Sequence, residues 1–297
     1  MSVSVPGFAC SIFDDTINLL GEGPTYDAVA DTAWWFDILG KKLIEKPLSA
    51  DQAIVHELPV MGSALATIDT DRQLIVAEDG LYVRSVRDGA LSLLTALESD
   101  NGENRSNDSR VHPCGAMWIG TMGKSAEPQL GSIYHFFCGA LQRIFSNITV
   151  PNSICFSQDG TVGYYTDTVT GKVMRVATDP QTGLPTEDPK PFLVRQPQHP
   201  GWADGAVMDA DGLIWIARWE GSCVQAYNAS AEVVETIELP CSKITCPSFV
   251  GRDASQMIVT SASTELSKEE LNETPHAGKT FLLDRRFNGR LEPRVEI

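Results

Sequence analysis

The sequence predicts an all-β protein built as a six-bladed β-propeller, and three observations carry that prediction. Six short apolar or aromatic runs resemble one another: Trp34-Trp35-Phe36, Leu74-Ile75-Val76, Met117-Trp118-Ile119, Gly163-Tyr164-Tyr165, Ile214-Trp215-Ile216 and Met257-Ile258-Val259. Their centres lie 40, 43, 46, 51 and 43 residues apart. Five of the runs follow an acid-bearing turn, at Asp31, Asp69 with Asp71, Asp159-Gly160, Asp211-Gly212 and Asp253; the other follows Pro113-Cys114-Gly115. A further turn and strand come after the runs, as in Gly80 before Leu81-Tyr82-Val83, and helical patterning is scarce. A period in the forties with several short strands per repeat marks a propeller blade. A β-sandwich is the alternative, but six even repeats are more than it explains.

The unit is clearest between His199 and Gly221. Asp204 stands between Trp202 and the Gly205-Ala206-Val207 run, and a turn, Asp209-Ala210-Asp211-Gly212, leads into the apolar strand Leu213 to Ala217. Two strands joined by an Asp-Gly turn make a hairpin, so the carboxylate rides on a rigid element. The longest interval contains a Pro-rich segment, Asp179 to Pro200, which reads as an inserted loop. Glu265 to Glu273 reads as a short helical or loop insert. Segments around Cys10 to Ile17 and Thr280 to Asp284 help complete the ring, with the closing terminus left open. Residues 1–297 are expected to form a single propeller domain.

Composition bounds the function. The chain has 297 residues, 42% of them hydrophobic, and a formal net charge of −16. No apolar run is long enough to span a bilayer. The start, MSVSVPGFAC, lacks a basic region followed by an apolar core, so no signal peptide is expected. Seven scattered cysteines without a CxxC motif read as reduced thiols and point to the cytoplasm. The negative charge favours solubility and cations and argues against nucleic acid. No membrane association and no obligate protein partner are indicated.

There is no GxSxG elbow, no HExxH and no phosphate-binding glycine loop. The five histidines are dispersed, and His199 reads as a solvated loop residue. Trp202 and Trp219 read as core or rim packing. Asp159, Asp209 and Asp211 read as hairpin acids.

The repeats support a geometric inference. About a dozen positions before each run centre lie Glu22, Ser63, Asn107, Asn152, Asp204 and Pro247. These places fall near the start of each innermost strand, which in a propeller lines the central channel. One channel end then gathers two carboxylates and two amides. Converging carboxylates repel unless one protonates or a cation intervenes. Oxygen ligands suit calcium, magnesium, manganese or ferrous iron, with zinc less expected in the absence of histidine. In the alternative reading, each residue only brackets its own turn.

At these residues the chain resembles a known family. Gly21-Glu22-Gly23-Pro24, Arg105-Ser106-Asn107-Asp108, Trp118 to Met122, Pro151-Asn152-Ser153 and Ala203-Asp204-Gly205 look like the regucalcin (senescence marker protein)/gluconolactonase family. The resemblance runs from about residue 18 to about 285. It implies a six-bladed propeller with one divalent cation in the channel, and a hydrolase of sugar lactones. By position it makes Glu22, Asn152 and Asp204 the metal ligands, and Arg105 and Asn107 the contacts to substrate hydroxyls. Ala203 stands where the family usually has proline, which leaves the ligand intact. Gly123 to Glu127 departs from the acidic run of regucalcin itself, which bears on sugar preference. For Arg105 a surface ion pair with Asp100 or Glu103 is the competing role.

The expected activity is therefore metal-dependent hydrolysis of an aldonolactone to the open acid. The cation polarises the carbonyl and Asp204 acts as general base. A non-catalytic calcium-binding regulatory protein on the same propeller is the alternative, and an ester or phosphotriester hydrolase a weaker third.

Overall fold

The computed structural model describes residues 3–297, and nearly all of its regular structure is strand. Two amino-terminal strands, β1 (Val3–Ser4) and β2 (Cys10–Asp14), precede the first four-stranded blade: β3 (Gly21–Asp27), β4 (Thr32–Asp37), β5 (Lys42–Pro47) and β6 (Ile54–Glu57). The second blade is β7 (Gly62–Thr67), β8 (Arg72–Ala77), β9 (Gly80–Ser85) and β10 (Leu91–Ala96). The third is β11 (Asn104–Val111), β12 (Met117–Gly123), β13 (Gly131–Phe137) and β14 (Ala140–Ile148). The fourth is β15 (Pro151–Phe156), β16 (Val162–Asp167), β17 (Lys172–Ala177) and β18 (Lys190–Val194). The fifth is β19 (Trp202–Met208), β20 (Ile214–Trp219), β21 (Cys223–Tyr227) and β22 (Val233–Glu238). In the last come β23 (Ile244–Val250), β24 (Gln256–Ser261), a short helix α1 (Lys268–Glu273) and β25 (Thr280–Leu283). Strands within each blade pair antiparallel in chain order. These are the six blades of a β-propeller, as the repeats predict.

Both termini build the last blade. Its order is β1-β2-β25-β24-β23, with Cys10 opposite Leu283 and Ile12 opposite Phe281. The segments expected to complete the ring thus do so jointly.

The blades fall into two compact groups of three. One comprises the first, fifth and last blades, from Arg195–Leu291 and the chain up to Leu58; the other holds the second, third and fourth, from Pro59–Val194 with Glu292–Ile297. In the first group β23 packs beside β19 and β3, and in the second β11 packs beside β7 and β15.

The apolar runs are continuous because both faces of a second strand are buried. Met117 and Ile119 pack with Leu74 and Val76 of the second blade, whereas Trp118 between them packs with Ile154, Phe156 and Tyr165 of the fourth. Trp215 and Val207 meet Phe249, Met257 and Val259 in the same way. Trp35, Trp118 and Trp215 are almost wholly buried. Burying a large apolar side chain of this kind contributes about 1.5–3 kcal/mol.

Acids at the ends of second strands fix how the chain enters the first strands. Asp37 accepts hydrogen bonds from the backbone N–H groups of Leu19, Leu20 and Gly40, each at 3.0 Å. Asp167 accepts from Thr149 and Val150, both at 3.0 Å. The next residues then pair as Gly21 with Asp37 and Pro151 with Asp167, which sets the register of Glu22 and Asn152.

Two local expectations need adjustment. The segment Asp179 to Pro200 is not all loop, because β18 runs through it and pairs with β17. The turn before that strand is pinned to the third blade, where Trp118 Nε1 donates to Gly183 O at 2.9 Å and the His135 ring meets Thr182 O at 2.7 Å. The helical alternative holds at the other insert, where Ser267 and Glu270 form a capping box for α1. Asp159 and Asp209 are hairpin acids as expected; Asp209 accepts from Asp211 N, Leu213 N and Trp215 Nε1. Among the described residues no helix is long and apolar enough to cross a membrane. All seven cysteines are free.

Candidate functional site

Every innermost strand breaks register near its start. In the first blade Glu22 pairs with Phe36, but the next pair is Thr25 with Trp34, so Gly23 and Pro24 together face Trp35. The same two-against-one bulge carries Asn107-Asp108 in β11, Ser153-Ile154 in β15, Asp204-Gly205 in β19 and Thr245-Cys246 in β23. In β7 the single extra residue is Ser63. A bulge bends the strand and re-aims its side chains, and bulges recur beside active sites. The residues singled out by the repeats therefore sit in or directly beside the one place where each inner strand departs from regular pairing.

The register also corrects the sequence reading. Glu22 and Asn152 are the last paired residues before their bulges, whereas Asn107, Asp204 and Ser63 lie inside theirs. The shared position is thus two adjacent positions. In the last blade the equivalent of Asp204 is Thr245; Pro247 is already back in the ladder. Counting from the aromatic run misplaces it, because the distance from bulge to run varies between blades.

Two bulges use a left-handed residue directly after a residue singled out by the repeats: Gly23 (φ 55°) after Glu22, and Ser153 (φ 53°) after Asn152. Glycine adopts that conformation without a Cβ penalty, whereas fully buried Ser153 holds it with one. In β19, Gly205 serves a close approach instead. A Cβ there would stand 2.6 Å from Cys246 Cβ and 2.9 Å from Thr245 O.

Among the second to fourth blades the bulges are bonded to one another. Ser63 Oγ donates to Asn107 O at 2.8 Å. Arg105 Nη1 donates to Asn107 Oδ1 at 2.7 Å and to Ser106 O at 2.9 Å. Asn107 Nδ2 donates to Asn152 Oδ1 and to Pro151 O, both at 2.9 Å. Asn152 Nδ2 donates to Thr168 Oγ1 at 3.0 Å. A guanidinium only donates, so it fixes the oxygen end of Asn107 and with it the direction of the whole relay. Arg105 is buried and bonded to the Asn107 bulge rather than lying on the surface.

Asp108 is a participant the sequence reading quoted without giving it a role. Its carboxylate accepts from Ile154 N at 2.7 Å, tying the Asn107 bulge to the Asn152 bulge. Burial pushes its pKa up to about 6, against the opposing pull of Arg110. An acid inside an inner strand, with no turn residue beside it, was the available signal.

In the first, fifth and last blades Glu22 and Asp204 are both buried, at 7% and 4% exposure. Gly23 N donates to Glu22 Oε2 at 3.0 Å. Thr245 Oγ1 donates to Gly21 O at 2.6 Å, linking the last bulge to the entry of β3. Among the described residues no three His, Cys, Asp or Glu side chains are grouped to hold a metal. The expected ligand set contains only two such residues, and its third donor is an amide oxygen. Two carboxylates and an amide oxygen whose direction a relay fixes suit a hard, oxygen-seeking cation.

A family model described as the SMP-30/gluconolactonase/LRE-like region matches residues 20–263. The chain belongs to that family. Among its relatives, a putative sugar lactone lactonase of Rhizobium meliloti (strain 1021) is 47% identical over 98% of each chain. An L-arabinolactonase of Azospirillum brasilense is 28% identical over 97% of this chain and 96% of its own. The solved structure of a calcium-binding protein, regucalcin, from Agrobacterium tumefaciens str. C58 superposes with a TM-score of 0.96. It is 46% identical and covers 98% of both chains. The SMP-30/gluconolactonase resemblance read from five short motifs thus extends over almost the whole length.

Proposed function

We propose that the protein hydrolyses the ring ester of an aldonolactone to the open aldonic acid with the help of one divalent cation, and that residues 1–297 act as a single propeller domain. The observation that carries this reading is the family membership, joined to 47% identity over 98% of each chain with a putative sugar lactone lactonase. Glu22, Asn152 and Asp204 would hold the ion. Calcium, zinc, manganese, magnesium and ferrous iron all accept such oxygen donors, and the calcium-binding neighbour supports calcium first. When bound, the ion supplies Lewis acidity toward a carbonyl oxygen.

The chain's own residues do the rest. Asp204 takes the proton of the attacking water at a carboxylate oxygen, a role typically worth roughly 10²–10⁴-fold in rate. Its place in a bulge of a fully paired strand keeps the carboxylate from wandering. Arg105 and Asn107 orient substrate hydroxyls, because a guanidinium presents several donors in a fixed fork. Asp108 steadies the bulge that follows Asn152 through its bond from Ile154 N. The partner is a small sugar lactone, and seven free cysteines fit a cytoplasmic setting. Hydrolysis of an aldonolactone panel, corrected for spontaneous ring opening, tests the reading. A metal-loaded protein that turns over none of them would leave the ion-binding alternative, which the calcium-binding neighbour favours.

A further inference from the structure

The chain has six tryptophans, and their burial divides them sharply. Trp34, Trp35, Trp118 and Trp215 are exposed by 3% or less. Trp202 and Trp219 are only half-buried, and they are paired directly opposite one another across β19 and β20. Directly opposed side chains of an antiparallel pair share a face, with Cβ atoms about 4.5–5.5 Å apart. The two tryptophans thus leave opposed positions on one face at the start of the strand that carries Asp204. Trp202 precedes Asp204 by two residues, which in a strand is about 7 Å. That is close to the width of one pyranose ring.

Both rings are held in place by cations. The Arg195 guanidinium lies 4.3 Å from the Trp202 ring centroid and donates from Nε to Gly201 O at 2.7 Å. Lys243 Nζ lies 4.6 Å from the Trp219 centroid and pairs with Glu265 at 2.7 Å. A cation over one face of each ring fixes the ring plane and leaves the opposite face for the C–H groups of a sugar. His199, in the loop before β19, accepts from Gln196 N through Nδ1 at 3.2 Å. Burial and the nearby Arg218 and Arg195 hold it below the usual histidine range. It is therefore neutral at pH 7, with its proton on Nε2 as a donor in the loop that leads to Trp202. Partly exposed aromatic side chains with fixed ring planes are what a sugar ring needs for stacking. Simple core packing would have buried the two rings like the other four.

We propose that Trp202 and Trp219 form a stacking subsite for a second pyranose ring, one ring beyond the reacting lactone, so that lactones of disaccharide acids are substrates. This rests on the lactonase reading for turnover, but binding to the subsite does not. The subsite selects by the ring attached to the lactone, whereas Arg105 and Asn107 select by hydroxyls on the lactone itself.

The test has a binding arm and a kinetic arm, both on the metal-loaded full chain. In the first, calorimetry compares cellobiitol, which has an intact pyranose but no lactone, with sorbitol. Cellobiitol is expected to bind about ten-fold more tightly, and Trp202→Ala and Trp219→Ala should abolish the difference while Trp202→Phe retains it. In the second, kcat/KM is measured for cellobionolactone and gluconolactone. Trp202→Ala should lower the first about ten-fold, mainly through KM, and leave the second within about two-fold. Equal binding of cellobiitol and sorbitol by the wild type would overturn the subsite. So would equal loss for both lactones in a variant whose circular dichroism and Tm match the wild type. If no lactone is turned over but cellobiitol still binds through Trp202, the subsite stands and the catalytic reading fails.

Discussion

Asn107 donates from Nδ2 to Asn152 Oδ1 at 2.9 Å, and Arg105 and the Pro151 carbonyl together decide the direction of that bond. The guanidinium can only donate to the oxygen of Asn107 and the carbonyl can only accept from its nitrogen, so the amide has one orientation. The side chain expected to meet substrate and the one expected to meet the cation are thus oriented by a single relay. Thr168 secures the far end by accepting from Asn152 Nδ2.

Removing Arg105 should therefore cost catalysis more than metal binding. For Arg105→Ala, kcat/KM at saturating metal is expected to fall about 10–100-fold, the worth of a charge-assisted hydrogen bond. Metal affinity should change less than about three-fold, because the Thr168 bond still orients Asn152. Steady-state kinetics beside a metal titration of the same variant check both numbers, and unchanged kinetics would return Arg105 to a purely structural role.

The ligand assignment makes its own prediction. Glu22→Gln and Asp204→Ala should each lose most of the bound divalent ion, read by elemental analysis after dialysis. In the wild type the ion should raise Tm, since binding only the folded state contributes about 2.7 kcal/mol at a hundred times Kd. Full metal content in both variants would remove the two carboxylates from the site.

Acid sensitivity should come in part from buried histidines. His112 Nε2 donates to Gly160 O at 2.9 Å, and the ring lies below the usual histidine range because it is buried. His135 is lowered for the same reason. Each is neutral in the folded state while the unfolded chain takes up a proton near pH 6.5. Their contribution is complete above that pH and is lost as pH falls from there through the lower folded value. Tm measured from pH 7.5 to 5 should drop, and the drop should shrink in His112→Asn and in His135→Gln. Identical slopes in all three proteins would place the acid sensitivity elsewhere.

Much of this architecture was legible in the sequence, for identifiable reasons. The six runs recur because the second strand of a blade is buried on both faces, as Met117, Trp118 and Ile119 show. That continuity is visible as apolar composition and spacing. Asp204 was legible because an acid before a hairpin turn is conspicuous. The bulges were not, because a register break leaves no residue type of its own: Gly23 marks one, but Ser153 occupies the same left-handed position in another. Asp37 and Asp167 looked like strand ends, and their hold on the entry to their own blade's inner strand spans 17 to 18 residues of sequence. The exposure that sets Trp202 and Trp219 apart is likewise a property of packing.

Selectivity should follow the hydroxyl pattern of the lactone. A buried donor left without its acceptor costs about 1–3 kcal/mol. Butyrolactone, which offers no hydroxyl to Arg105 or Asn107, should be turned over at least about ten-fold less efficiently than an aldonolactone such as gluconolactone or arabinonolactone. Equal efficiency would show that the two residues do not read hydroxyls.

The central claim is that bound cation and Asp204 together open a sugar lactone, and one measurement meets it directly. Acid release from gluconolactone, galactonolactone, arabinonolactone and xylonolactone is followed with a pH indicator after chelation, with calcium, zinc, manganese, magnesium and ferrous iron restored one at a time. Spontaneous hydrolysis is subtracted, and Asp204→Asn is run beside the wild type. At least one lactone should be hydrolysed well above background with metal restored, near background after chelation, and at least about 100-fold more slowly by Asp204→Asn. Tight calcium binding with no lactone opened above background would contradict the enzyme and leave an ion-binding protein.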